Sequence, residues 1–128
     1  MKTLIACLAA TFIASTAAFA GEFEDISIKE VKEAIAAKKI TVIDVMGAKS
    51  YKAGHVPTAI SYSANKDDLA AVLPKDKDAL IVAYCGGPSC SAYKKAAEAA
   101  KALGYTNVKH MSAGISGWMQ AKEETEKG

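Results

Sequence analysis

Apolar residues recur along this chain in two alternating rhythms, one of period near 3.6 and one of continuous β-branched runs. Ile28, Val31, Ala34 and Ile35 fall on one helical face. Ser27 just ahead of them is a natural N-cap, with Glu30 three residues later, so the spacing predicts a helix from about Ile28 to Lys38. Two runs, Ile40-Thr41-Val42-Ile43-Asp44-Val45 and Ala79-Leu80-Ile81-Val82-Ala83-Tyr84, read as parallel strands buried on both faces. Between them the pattern predicts a turn at Ala53 to Pro57, a short strand at Ala59 to Tyr62, and a helix near Asp67 to Leu73 that Pro74 ends. Ser91 to Leu103 predicts a further helix, with Ala92, Ala96, Ala99, Ala100 and Leu103 inward, Lys94 and Glu98 outward, and Gly104 at the C-cap. Asn107 to Met111 reads as the last strand and Ile115 to Ala121 as the last helix, and the charged tail Lys122 to Gly128 is expected to fray. This order predicts an α/β domain: a small, mostly parallel sheet flanked by helices on both faces, with no internal repeat and no linker.

The first twenty residues differ from the rest. Lys2 is their only charge, Leu4 to Ile13 is apolar, and small residues run to Ala18-Phe19-Ala20 before Gly21. That is the pattern of a secretory signal peptide cleaved after Ala20, which divides the chain into residues 1–20 and a domain over 21–128. Ser15, Thr16 and the A-x-A end favour cleavage over a membrane anchor. Leu4-Ile5-Ala6-Cys7 has too short an apolar run before it for a lipoprotein signal, so Cys7 is expected to leave with the leader. The expectation is an exported domain, periplasmic or extracellular, with no membrane contact after cleavage.

The 128 residues are 51% hydrophobic and 23% charged, enough for one core. All sixteen basic residues are lysines, against fourteen acids. With no arginine fork and no clustered basic face, a nucleic-acid or phosphate-reading protein is disfavoured. Two cysteines remain after the leader, Cys85 and Cys90, and in an oxidising compartment such a pair can form a disulfide.

Open α/β sheets place their chemistry outside the carboxyl ends of the strands, and here that point is Cys85. Cys85-Gly86-Gly87-Pro88-Ser89-Cys90-Ser91 leads from an apolar strand towards a helix, so it is a tight loop whose glycines let backbone N–H groups converge. A Cys85 thiolate there meets those N–H groups and a helix N-terminus, both of which lower its pKa from the free value of about 8.5. The residues alone leave three readings open: an activated nucleophile, a structural Cys85–Cys90 disulfide, or an inert buried thiol.

At this point the chain resembles the rhodanese family of sulfurtransferases, in a single-domain exported form. Val42-Ile43-Asp44-Val45 followed by Tyr51-Lys52-Ala53-Gly54-His55-Val56-Pro57-Thr58-Ala59-Ile60 is similar to the family's D-x-R and Y-x-x-G-H-I-P-G-A stretches. Ile81-Val82-Ala83-Tyr84-Cys85 resembles the strand and catalytic cysteine. Gly104-Tyr105, Asn107-Val108 and Met111-Ser112-Ala113-Gly114-Ile115-Ser116-Gly117-Trp118 resemble its later motifs. The resemblance implies that Cys85 takes a sulfane sulfur from a donor and holds it as a persulfide; thiosulfate, a polysulfide and a persulfide are the candidate donors. Cys85 then passes the sulfur to cyanide or a thiol, and no cofactor or metal is involved. It further implies that Gly86, Gly87, Pro88, Ser89, Cys90 and Ser91 form the substrate-binding loop, and that a protein persulfide can be a partner.

The departures from the family pattern matter. Met46 stands where the D-x-R motif has arginine, Pro88 stands in a usual glycine position, and Cys90 in a usual basic one. Only Lys49, Lys52, Lys94 or Lys95 can supply a cation near the loop, as point charges without bidentate fit. Weak thiosulfate turnover is therefore expected, with Cys90 as a possible resolving thiol that attacks the persulfide and releases sulfide. Asp44 and His55 are candidates for loop support by hydrogen bonding. His110, near the end of the last strand, faces either the loop or solvent, and Trp118 reads as a core anchor. Zinc spacing, a Ser/His/Asp elbow and a phosphate-binding glycine fingerprint are all missing from the sequence, and the loop lacks the arginine that related phosphatases need. The second class of function is non-enzymatic, an exported sulfur carrier or thiol redox module using Cys85 and Cys90.

Overall fold

The two β-branched runs lie side by side at the centre of the molecule. A computed structural model describes residues 23–128, so the leader, its cleavage site and Cys7 lie outside the described residues. Strand β1 is Glu24–Asp25, β2 Thr41–Asp44, β3 Ile60–Ser61, β4 Ile81–Tyr84 and β5 Val108–His110. They form one five-stranded sheet in the order β1-β5-β4-β2-β3, and every pairing is parallel. β2 and β4 run in register from Thr41 beside Ile81 to Asp44 beside Tyr84, so the two central strands end level and Cys85 is the first residue beyond.

Because side chains alternate along a strand, each central strand feeds two cores. Ile43, Ile81, Ala83 and Cys85 point into one, with Tyr93, Ala96, Ala97 and Ala100 of helix α4 (Tyr93–Ala102) and with Leu69 and Leu73. Val42, Val82 and Tyr84 point into the other, with Val31 of helix α1 (Ile28–Ala36), Trp118 of helix α5 (Gly114–Gln120), Val56 and Met111. The sheet is thus covered by helices on both faces, as the sequence predicts.

Local chemistry sets the ends of the elements. Ser27 Oγ accepts the Glu30 N–H at 3.1 Å and opens α1. The helix stops at Ala36, two residues short of the predicted end, because Lys38 turns left-handed at φ +57° and lets the Lys39 N–H return to Ala34. Helix α2 (Ala48–Ala53) is one and a half turns long, too short to show a period, and the sequence reading missed it. The expected Asp67–Leu73 helix is instead α3 (Tyr62–Asn65), capped by Ser61, followed by a 3-10 segment at Lys66–Ala71 with a kink at Asp68.

Two further expectations are corrected. Leu103 is 38% exposed rather than inward. Helix α4 ends at Ala102, Gly104 turns at φ +100°, and the buried face is rotated to Tyr93, Ala96, Ala97 and Ala100. The tail does not fray. Trp118 Nε1 donates to Glu124 O at 2.7 Å, His55 and Glu126 pair as an antiparallel bridge, and the Gly128 N–H reaches Lys52 O at 3.1 Å.

Candidate active site

The loop that follows β4 is held from behind by its backbone carbonyls. The Ile115 N–H donates to Cys85 O at 2.9 Å and the Ser116 N–H to Gly86 O at 3.0 Å, so the first turn of α5 satisfies its own donors on the loop. This requires close approach at Gly114, whose φ is +62°. A Cβ there would lie 2.6 Å from Gly86 C and Gly87 N and 2.7 Å from Cys85 O. The Cys90 N–H closes the loop onto Gly87 O at 3.1 Å. With their carbonyls held, Gly86 and Gly87 keep free donors: among the described residues the N–H groups of Gly86, Gly87 and Ser89 give no hydrogen bond to the protein.

Cys85 and Cys90 are joined in a disulfide across this loop, with their Cα atoms 6.2 Å apart. The two sulfurs are unequal in access. Cys85 is 1% exposed and packed in the core with Ile43 and Ala83, whereas Cys90 is partly exposed. Pro88, Ser89 and Ser91 are exposed around it.

Asp44 and Tyr84 form the floor ahead of the loop. The Tyr84 hydroxyl donates to Asp44 Oδ2 at 2.5 Å and accepts the Val56 N–H at 3.0 Å, while Asp44 Oδ1 accepts the Met46 N–H at 2.7 Å. Burial raises the Asp44 pKa above the ordinary carboxylate value, although the hydrogen bonds from Tyr84 and Met46 and the nearby His55 oppose that rise. Burial, the hydrogen bond to Asp44 and its charge raise the Tyr84 pKa strongly, so Tyr84 stays a neutral donor. His55 is buried, hydrogen-bonded through Nδ1 to Tyr51 O at 2.8 Å and stacked on the Tyr51 ring at 3.8 Å. Asp44 therefore supports the turn after β2 and the residue before Cys85, and His55 supports the turn after α2 and the tail.

The arginine of the family motif is replaced by packing. The sulfur of Met46 lies 3.8 Å from where a Gly86 Cβ would be, so an apolar side chain rests against the loop in place of a cation. Lys49 and Lys52 are exposed on α2. Lys94 lines a cavity of about 360 Å³ together with Cys90, Phe23, Tyr93 and His110. Lys95 lines a second, of about 300 Å³, with Lys66, Tyr62 and Ala92. The loop thus lines the first of these cavities, where Lys94 is the lysine, and contributes no residue to the second.

The profile of the rhodanese-like domain matches residues 27–121. The chain belongs to the rhodanese-like domain family. A solved protein of Bacillus halodurans is similar at 34% identity and a TM-score of 0.70, over 82% of this chain and 77% of that one. The human single-domain sulfurtransferase shares the fold at a TM-score of 0.61 and 17% identity, over 75% of this chain and 95% of that one. A curated relative, an HTH-type transcriptional regulator of Mycobacterium tuberculosis, is 36% identical over 93 residues, which is 72% of this chain and 40% of that protein. The chain thus spans two fifths of the length of the curated relative it matches.

Within this rhodanese-like domain the sequence reading named the loop, both cysteines, Asp44 and His55, but treated Tyr84 only as a strand residue. It left His110 between two placements. His110 is buried, stacked on Tyr93 with ring centres 3.3 Å apart, and lines the cavity at Cys90. Phe23 and Tyr93 were not singled out, because neither carries a local motif and it is packing that brings Phe23, from a distant segment, and the Tyr93 ring to the cavity at Cys90.

Proposed function

We propose that this rhodanese-like domain is a sulfurtransferase in which Cys85 carries a sulfane sulfur as a persulfide and Cys90 resolves it. The observation that carries the reading is the position of Cys85: first residue beyond a central strand, at the head of a loop whose carbonyls are fixed from α5 and whose N–H groups at Gly86, Gly87 and Ser89 remain available to a sulfur anion. The reduced Cys85 thiolate attacks the outer sulfur of thiosulfate, a polysulfide or a persulfide. The S–S bond of the donor breaks, and sulfite or a shortened polysulfide or thiolate leaves with the electron pair. The persulfide then gives its outer sulfur to cyanide or a thiol. Alternatively the Cys90 thiolate attacks Cys85 Sγ, the disulfide closes, and hydrosulfide leaves. With Met46 against the loop and no arginine in it, a protein persulfide, with a single charge at its sulfane sulfur, or a polysulfide, whose charges are spread to the two ends of the chain, needs a cation less than the compact thiosulfate dianion does.

The test is multiple turnover on pre-reduced protein, with cyanide as acceptor. Thiocyanate forming over many equivalents and faster than in Cys85→Ser, with a larger excess over that background from polysulfide than from thiosulfate, and turnover that lasts longer in Cys90→Ser, where no disulfide can close, is the expected result. Thiocyanate no faster than in Cys85→Ser contradicts the reading. A second reading, a sulfur carrier or thiol redox module, is favoured by the Cys85–Cys90 disulfide and by the lack of a loop arginine. It predicts a single equivalent of thiocyanate and then arrest. We also propose that residues 1–20 direct export to an oxidising compartment and are cleaved after Ala20, which the mass of the chain recovered from the periplasm checks.

A further inference from the structure

We propose that the disulfide is opened from the Cys90 side, by a small anionic thiol seated in the cavity beside Lys94, with Cys85 departing as the thiolate. This rests on the reading of Cys85 and Cys90 as a working pair and names the reductant and the sulfur it attacks. Thiol–disulfide exchange needs the attacking sulfur to approach one disulfide sulfur from the side opposite the other. Cys85 is 1% exposed and belongs to the core cluster of Ile43, Ile81 and Ala83, so its sulfur is closed to an external attacker while the disulfide stands. Cys90 is partly exposed and forms part of the wall of a cavity of about 360 Å³, which Cys85 does not reach. That volume lies at the small end of ligand pockets and suits a thiol of amino-acid to short-peptide size.

The cavity also selects for charge and for leaving group. Lys94 in its lining makes no ion pair among the described residues, whereas the Asp25 carboxylate, also in the lining, already accepts the Ser112 N–H at 2.9 Å. A carboxylate or sulfonate near the attacking thiol is therefore matched by Lys94. Phe23 and the stacked pair Tyr93 and His110 supply flat walls for its carbon chain. On the other side, Cys85 heads the loop whose Gly86 and Gly87 N–H groups give no hydrogen bond to the protein and are available to the thiolate once the disulfide opens, which favours this direction of cleavage. The step balances: the external thiolate contributes an electron pair to a new S–S bond with Cys90, the Cys85–Cys90 bond breaks, and its pair remains on Cys85. A second equivalent of thiol attacks the mixed disulfide, freeing Cys90 and leaving as the oxidised dimer of the reductant.

The experiment uses the oxidised full chain, with 2-mercaptoethanesulfonate as the anionic probe and cysteamine as the cationic one, and no sulfur donor present. Brief reaction is followed by acid quench, alkylation, and tandem mass spectrometry of the peptide holding both cysteines. The expected product carries the probe on Cys90 and the alkyl group on Cys85. The anionic-to-cationic rate ratio is expected to fall about fivefold in Lys94→Gln, the loss of one partly screened charge contact. Probe on Cys85 with alkylated Cys90 overturns the assigned direction, and a ratio unmoved in Lys94→Gln overturns the anionic preference. Because no sulfane sulfur is present, failure here is separable from failure of the persulfide reading, which is scored on reduced protein with a donor.

Discussion

The hydroxyl of Tyr84 donates to Oδ2 of Asp44 at 2.5 Å, joining the last residues of the two central strands one position before Cys85. The same oxygen accepts the Val56 N–H, so one buried phenol satisfies a carboxylate and a backbone donor together. Tyr84→Phe keeps the ring in its core and strands both partners. The expected cost is about 2–3 kcal/mol, the desolvation penalty of buried groups left without a partner. Urea unfolding checks this, and a loss near zero means that the contact does not hold the strand ends.

Asp44 makes stability depend on pH in a direction opposite to that of an ordinary paired carboxylate. Burial raises its pKa, so between the unfolded value of 3.8 and the raised folded value the native state holds a proton that the unfolded chain has released. Stability contributed by Asp44 is therefore present in acid and falls as pH climbs through that window. Asp44→Asn does not titrate. The stability of the wild type minus that of Asp44→Asn is expected to decrease as pH rises from 4, and an increase over the same range contradicts the assignment.

Gly114 is the contact that fixes the loop. Gly114→Ala puts a methyl group within 2.7 Å of three backbone atoms of Cys85, Gly86 and Gly87, at a positive φ, and backbone cannot swing aside as a side chain can. A destabilisation of about 2–4 kcal/mol is expected from overpacking and strain together, with slower sulfur loading of Cys85. Gly47→Ala is the control, since φ there is +91° but nothing lies within 4 Å of the added carbon, and about 1 kcal/mol of strain alone is expected. Equal losses at the two positions would show that crowding at the loop is not what Gly114 avoids.

The tail is a structural strap. Ending the chain after Lys122 removes the acceptor of Trp118 Nε1, the Glu126 bridge to His55 and the Gly128 contact with Lys52. A melting temperature lower by about 4–8 °C is expected for each kcal/mol lost in a domain of this size. An unchanged melting temperature would mean that the strap carries no stability.

Much of this was legible in the sequence. The runs at Thr41–Asp44 and Ile81–Tyr84 are continuous and β-branched, and a strand buried on both faces is what such runs require. The loop at Cys85 follows from where β4 must end. What could not be read was set by contacts between distant segments. The tail is charged and locally unremarkable, yet Glu126 pairs with His55 seventy-one positions earlier. Tyr93 looked like one residue of a helix and His110 like the end of a strand, but tertiary packing stacks them beside Cys90. Helix α2 and the kinked segment after β3 are too short for a period to show.

The central claim is that Cys85 carries sulfur, and intact mass spectrometry of the reduced protein after exposure to polysulfide and to thiosulfate tests it most directly. The account predicts a gain of one sulfur atom on Cys85, larger with polysulfide, absent in Cys85→Ser and longer-lived in Cys90→Ser, where no thiol is present to release hydrosulfide. No gain from either donor on fully reduced protein would contradict it, and the loop would then serve as a disulfide clasp alone.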